Sequence, residues 1–208
     1  MVKKKISRRT NIILLIWCIT VCQVAAGKCN KVEFITDSGT FIIEIYPDGA
    51  PLTSANFIRL INNFHYDGLI FHRVIPEFVI QTGGYTFDFT PRKSQTLPIP
   101  NEGNHKLKNV RGTVAMARTS DPHSARSQFF INITDNPSLD SSATRHGYAV
   151  FGKVVDGMAT VDAIAAKKTQ NNSLFKDVPI TPIRILKARE LQQRLCNVSV
   201  VNETQVSG

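Results

Sequence analysis

The sequence predicts an all-β domain, a barrel of short strands with capping helices. Two observations carry this. Many short runs of β-branched and aromatic residues alternate as half-buried strands do, and only two stretches, at separate places, have helical spacing. With 208 residues, 42% of them hydrophobic, the chain can bury one core with a short segment to spare. No internal repeat divides it.

The spare segment is the first. Lys3, Lys4, Lys5, Arg8 and Arg9 precede an apolar run from Ile12 to Val24 and then Ala25, Ala26 and Gly27. A basic start, an apolar middle and small residues make residues 1–27 a secretory signal peptide, cut near Ala26 or Gly27. An uncleaved anchor is the alternative, although a run broken by Thr20 and Gln23 is short for a bilayer. Residues 28–195 are then the domain and 196–208 a polar C-terminal tail. Without the five leader cations, 20 Lys and Arg face 16 Asp and Glu, so the formal +9 falls to about +4. These cations are scattered apart from Lys167 and Lys168, and nucleic acid is not an expected partner.

Cys18 and Cys22 leave with the leader, and the bulky Val21 argues against lipid attachment at Cys22. Cys29 and Cys196 remain. An even pair in an exported domain is a disulfide candidate, worth roughly 4 to 5 kcal/mol in the chain-entropy model; two unpaired thiols on frayed ends are the alternative. No histidine cluster accompanies them, so neither a metal nor another cofactor is expected.

In chain order, Val32 to Ile35 and Phe41 to Tyr46 bracket Asp37-Ser38-Gly39-Thr40, which reads as strand, tight turn, strand. Pro51 with Thr53 or Ser54 opens a helix to about Asn63, with Phe57, Leu60, Ile61 and Phe64 on one side. From Phe71 to Gln81 two strands meet at Pro76 and Glu77, with Phe71, Arg73 and Ile75 on one face and Val79 and Gln81 together after the turn. An arginine between apolar residues needs a partner or a solvent-lined cleft. Residues 85–108 are loop-like and proline-rich, as segments bordering sites often are. Thr113 to Ala117, Gln128 to Ile133 and Ala149 to Val155 follow as strands. A second helix begins at Asp156 with Val161 and Ile164 inward, and Ile183 to Ala188 closes the domain. Alternation from Gln128 separates a core face, Phe129, Ile131 and Ile133, from a mixed face, Gln128, Phe130 and Asn132, suited to a groove.

Phe71-His72-Arg73-Val74-Ile75-Pro76-Glu77-Phe78-Val79-Ile80-Gln81 and Ser127-Gln128-Phe129-Phe130-Ile131 together resemble the signature of the cyclophilins, the cyclosporin-type peptidyl-prolyl isomerases. Gly112 to Arg118 and Tyr148 to Val155 are similar to further family motifs in the same order, and the likeness spans about residues 31–190. It implies an eight-stranded antiparallel closed barrel and prolyl cis-trans isomerase activity, without a cofactor. It also implies roles. Arg73 would be catalytic, donating to the proline carbonyl and the imide nitrogen. Phe78, Val79, Phe130 and Leu139 would line the proline pocket, Gln81 and Gln128 would hold Arg73 and the peptide, and Ala117, Arg118 and Tyr148 would complete the binding surface.

Some positions depart from the family pattern. Val79 stands for a common methionine, Arg118 for asparagine and Tyr148 for histidine, the last two resembling bacterial exported members. Ser138 occupies the place of the tryptophan of cyclosporin-sensitive members, so weak cyclosporin binding is expected. The expected partners are proline-containing unfolded or folding chains, bound by a monomer with no stable membrane association once the leader is removed. The compartment is the periplasm, with the secretory pathway as alternative. A proline-segment binding chaperone without turnover is the competing function. Ser127 has no evident His and Asp pair in sequence, which leaves hydrolysis without support.

Overall fold

The computed structural model describes residues 30–103, 106–172 and 175–192. The leader, Cys29, Cys196 and the polar tail lie outside the described residues. Among the described residues the strands are β1 (Lys31–Thr36), β2 (Gly39–Ile45), β3 (Arg73–Ile75), β4 (Val79–Thr82), β5 (Thr113–Met116), β6 (Phe129–Asn132), β7 (Val150–Asp156), β8 (Thr169–Gln170), β9 (Val178–Pro179) and β10 (Ile185–Glu190). Two helices, α1 (Pro51–Asn62) and α2 (Met158–Ala165), complete the set.

Eight strands form one antiparallel sheet in the order β10-β1-β2-β7-β5-β6-β4-β3, and β8 pairs with β9 apart from it. The edge strands β3 and β10 do not pair as a ladder. Instead, the chain entering each of them is joined by single backbone bonds: the Gly68 amide donates to Ile185 O at 2.7 Å, Ile185 N to Leu69 O at 2.8 Å, and Phe71 N to Ile183 O at 3.0 Å. The sheet therefore curls until its edges are linked by chain rather than by strand.

Its concave side is filled by rings. Phe57 from α1 lies 4.9 Å from Phe151, 5.3 Å from Tyr66 and 5.5 Å from Phe129, centroid to centroid, and Phe34 stacks on Phe41 at 5.1 Å. All six are at most 1% exposed, which places the helix as a plug in the curl. α1 starts at Pro51, whose missing N–H would have been unsatisfied there in any case. Ala50 supplies no side-chain cap. Glu102, from the long loop, takes that role instead, accepting from Leu52 N at 3.0 Å and Thr53 N at 2.7 Å. α2 buries Val161 and Ile164 as expected, against β2, β3 and β4.

Two expected faces change. The helix ends at Asn62, and Phe64, at φ +55°, turns away to 57% exposure under the Arg189 guanidinium, 4.3 Å from its ring, so it is no part of the core face. Phe71 precedes β3, whose alternation begins only at Arg73, and its ring joins the core rather than the face of Arg73.

Truncating Phe57→Ala removes the ring that four aromatic neighbours share. Unfolding free energy is expected to fall by about 3 to 5 kcal/mol, measured by urea titration.

Candidate active site

The site is laid down by four adjacent strands, β5, β6, β4 and β3. β3 and β4 place Arg73 opposite Gln81, β4 and β6 place Gln81 opposite Phe130, and β5 and β6 place Ala115 opposite Phe130. Because alternate side chains leave opposite faces, Ile80, Ile131 and Val114 enter the main core while Val79, Phe130 and Ala115 emerge on the other side. There they form, with Val150, a second small apolar cluster, against which Phe78, Leu107, Ala117, Leu139 and Tyr148 pack.

Above this cluster lies a pocket of about 130 Å³, lined by Arg73, Val79, Gln81, Ala117, Arg118, Phe130, Leu139 and Tyr148. Every residue singled out from the sequence is thus in its lining except Phe78 and Gln128. Phe78 packs on the same cluster, and Gln128 accepts a hydrogen bond from Gln81 Nε2 at 2.9 Å. The volume suits one small ring rather than a drug-sized ligand. Tyr148 forms the far wall, edge-on to Phe130 at 5.4 Å and covered by the Arg118 guanidinium 4.6 Å from its ring. Arg118 is pinned there by donating to Thr119 O at 2.9 Å and His146 O at 2.7 Å, so its side chain is part of the wall. A neighbouring cavity of about 450 Å³ shares Gln81, Ala117 and Arg118 and takes Pro91, Arg92 and Pro98 from the long loop, which borders the site as anticipated.

Three features were not read from the sequence. The guanidinium of Arg73 faces Asp177, with Nε 3.7 Å from Oδ2, both side chains about two-fifths exposed. Asp177 sits in a loop at φ +58°, and its carbonyl accepts from Val74 N at 2.8 Å, so the loop is fastened to β3 itself. Distance in sequence hid this partner. Second, the turn that carries Phe78 and the pocket wall at Leu139 share one buried amide chain. Asn136 Nδ2 donates to Phe78 O at 3.0 Å and to Asn132 Oδ1 at 2.8 Å; Asn132 Nδ2 donates to Thr113 Oγ1 at 2.9 Å and Asn109 Oδ1 at 3.3 Å; Asn109 Nδ2 donates to Leu139 O at 3.2 Å. Asn132 is therefore closed over by Asn109 and Asn136, 0% exposed, and is no part of the open groove face on which alternation put it. Third, His72, 4% exposed, packs edge-on to Tyr85 at 4.8 Å. Burial first, helped by the Arg73 charge and opposed by Ile70 O and Gln128, pushes its pKa down to about 4.

Among the described residues no cluster of His, Cys, Asp or Glu could hold a metal ion. What the site offers is a small apolar hole with a cation at its lip and two amides beside it. It can hold a ring still and donate to a carbonyl or a nitrogen next to that ring, and nothing in it is set up as a nucleophile.

Fold and site thus define a protein that binds a small cyclic residue within a peptide. Residues 31–190 match the family described as cyclophilin type peptidyl-prolyl cis-trans isomerase/CLD. A peptidyl-prolyl cis-trans isomerase of Acinetobacter baylyi is 48% identical over 160 residues, 77% of this chain and 85% of that protein. Peptidyl-prolyl cis-trans isomerase B of Escherichia coli is 46% identical over 151 residues, 71% of this chain and 92% of that one. A crystal structure of a Cryptosporidium parvum cyclophilin type isomerase, determined in the presence of the dipeptide Ala-Pro, superposes with a TM-score of 0.65 at 27% identity, covering 78% of this chain and 99% of that one. The chain belongs to the cyclophilin-type peptidyl-prolyl cis-trans isomerases, and it is an enzyme of that class.

His72 makes stability depend on pH. The folded state keeps the imidazole neutral down to about pH 4, whereas the unfolded chain takes up a proton below about pH 6.5, so acid favours unfolding in that window. Between pH 7 and 4 a loss approaching about 3 kcal/mol is expected, present above pH 6.5 and lost as pH falls; chemical denaturation across this range reads it, and His72→Gln should flatten the slope.

Proposed function

We propose that the protein accelerates cis-trans isomerisation of X-Pro bonds in exported polypeptides as they fold, with Arg73 as the catalytic group. The observation that carries this is the position of Arg73 at the lip of the 130 Å³ apolar pocket, directly across the β3–β4 pair from Gln81. The proline ring occupies the hole over Val79, Phe130, Leu139 and Tyr148, with Phe78 behind it. Gln81 and Gln128 hold the neighbouring backbone, and main-chain atoms at Ala117 and Arg118 take the residues before proline.

Isomerisation passes through a twisted amide that has lost its resonance, against a barrier of about 20 kcal/mol. No covalent bond breaks, so neither nucleophile nor cofactor is needed. As the amide twists, the nitrogen lone pair becomes basic, and a guanidinium aimed at it binds the transition state more tightly than the ground state. A 100,000-fold acceleration requires about 7 kcal/mol. One charged hydrogen bond contributes about 1.5 to 3 kcal/mol of this, and a rigid pocket that fixes the ring must supply the remainder.

The basic and apolar leader pattern of residues 1–27 supports export, with the periplasm as the proposed compartment. There the protein works as a monomer on unfolded and folding chains.

With residues 28–208, Arg73→Ala is expected to lower kcat/KM on a proline test peptide by about 100-fold or more while peptide affinity changes little. Equal binding by both with turnover by neither would instead make the domain a proline-segment binder. Ser138, exposed on the turn Pro137–Leu139 beside the pocket, offers cyclosporin no indole. Inhibition should therefore be weak, and Ser138→Trp is expected to tighten it at least about tenfold, read by titration of the isomerase rate.

A further inference from the structure

On the other side of Arg73 lies a separate cavity of about 350 Å³, whose lining includes His72, Arg73, Tyr85, Phe175 and Lys176. We propose that it receives an acidic side chain of the peptide segment that follows the proline. The proposal rests on the isomerase reading above and extends it to substrate sequence.

Connectivity decides which part of the substrate arrives there. The cavity shares Arg73 and Gln81 with the proline pocket, whereas the 450 Å³ cavity touches Ala117 and Arg118 and does not include Arg73. A proline whose carbonyl meets Arg73 sends its next residues past that guanidinium and into the 350 Å³ space. Residues before the proline leave on the Arg118 side.

Charge and walls decide the chemistry. No carboxylate lines the cavity, and two cations do, Arg73 and the exposed Lys176. Asp177, which follows Lys176 in the chain, is paired with Arg73 Nε at 3.7 Å, so these three groups carry two positive charges to one negative. The walls are preformed by ring contacts: Tyr85 lies 4.6 Å edge-on to Phe175, which stacks on Phe89 at 5.6 Å, and His72 meets Tyr85 at 4.8 Å. A rigid aromatic cleft with a net positive charge favours a carboxylate on a short stem.

The test compares peptides carrying Glu, Gln or Lys at the first or second position after proline, and the same residues before it, with the wild type and Lys176→Glu. Glu after proline is expected to raise kcat/KM about two- to fivefold over Gln, a gain that shrinks at high ionic strength. Lys176→Glu should reverse the order in favour of Lys. Equal rates for Glu and Gln, a preference confined to positions before proline, or a preference that Lys176→Glu leaves intact would overturn the proposal. Should the wild type turn over none of the peptides, the isomerase reading fails, and the ratio of Glu to Gln peptide affinities by calorimetric titration decides the subsite on its own.

Discussion

The pairing of β4 with β6 is the constraint on which the site depends. One register puts Ile80 against Ile131 on the core side and Gln81 against Phe130 on the outer side. A slip by one residue would exchange the two faces, placing an amide among the rings around Phe57 and opening the apolar floor of the pocket. The packed core on one side therefore enforces the binding surface on the other. Stability and function are read from alternate residues of the same strands.

That arrangement supplies a floor but not walls. The walls come from chain that is not strand, Leu139 on a short 3-10 turn and Tyr148 before β7, and Phe78 at the β3–β4 turn packs on the cluster beneath them. Irregular backbone left to itself would drift, and the three asparagines at 109, 132 and 136 hold it by tying Phe78 O and Leu139 O to one buried chain of amides. Buried amides with unsatisfied groups cost about 1 to 3 kcal/mol each, so the chain is favourable only when every link is made. A fully connected network of this kind makes the pocket one object rather than three loops.

The charges around Arg73 are balanced loosely. Its ion pair with Asp177 is half in solvent and is worth at most about 1 kcal/mol, too little to hold the guanidinium against a substrate carbonyl. His72, immediately before it in the chain, is kept neutral by burial and adds no competing positive charge at neutral pH. The arginine is in this way restrained but available, which suits a group whose contact must strengthen as the amide twists.

Much of this was legible in the sequence. The period-two runs named the main strands, helical spacing found α1 and α2, and the motif pair around Arg73 and Phe130 gathered residues that the structure brings to one pocket. What escaped has a common cause. The short β8 and β9 and the end of α1 before Phe64 depend on a few backbone bonds, too few to leave a periodic trace. Asp177 beside Arg73, the cap from Glu102 and the closure of Asn132 by Asn109 and Asn136 join residues remote along the chain. By itself the sequence determined the alternation of apolar and polar positions, because side-chain direction in a strand is local. Only the tertiary structure decided which carboxylate faces the arginine and which polar residues are sealed from water, because those depend on how the curled sheet brings distant loops together.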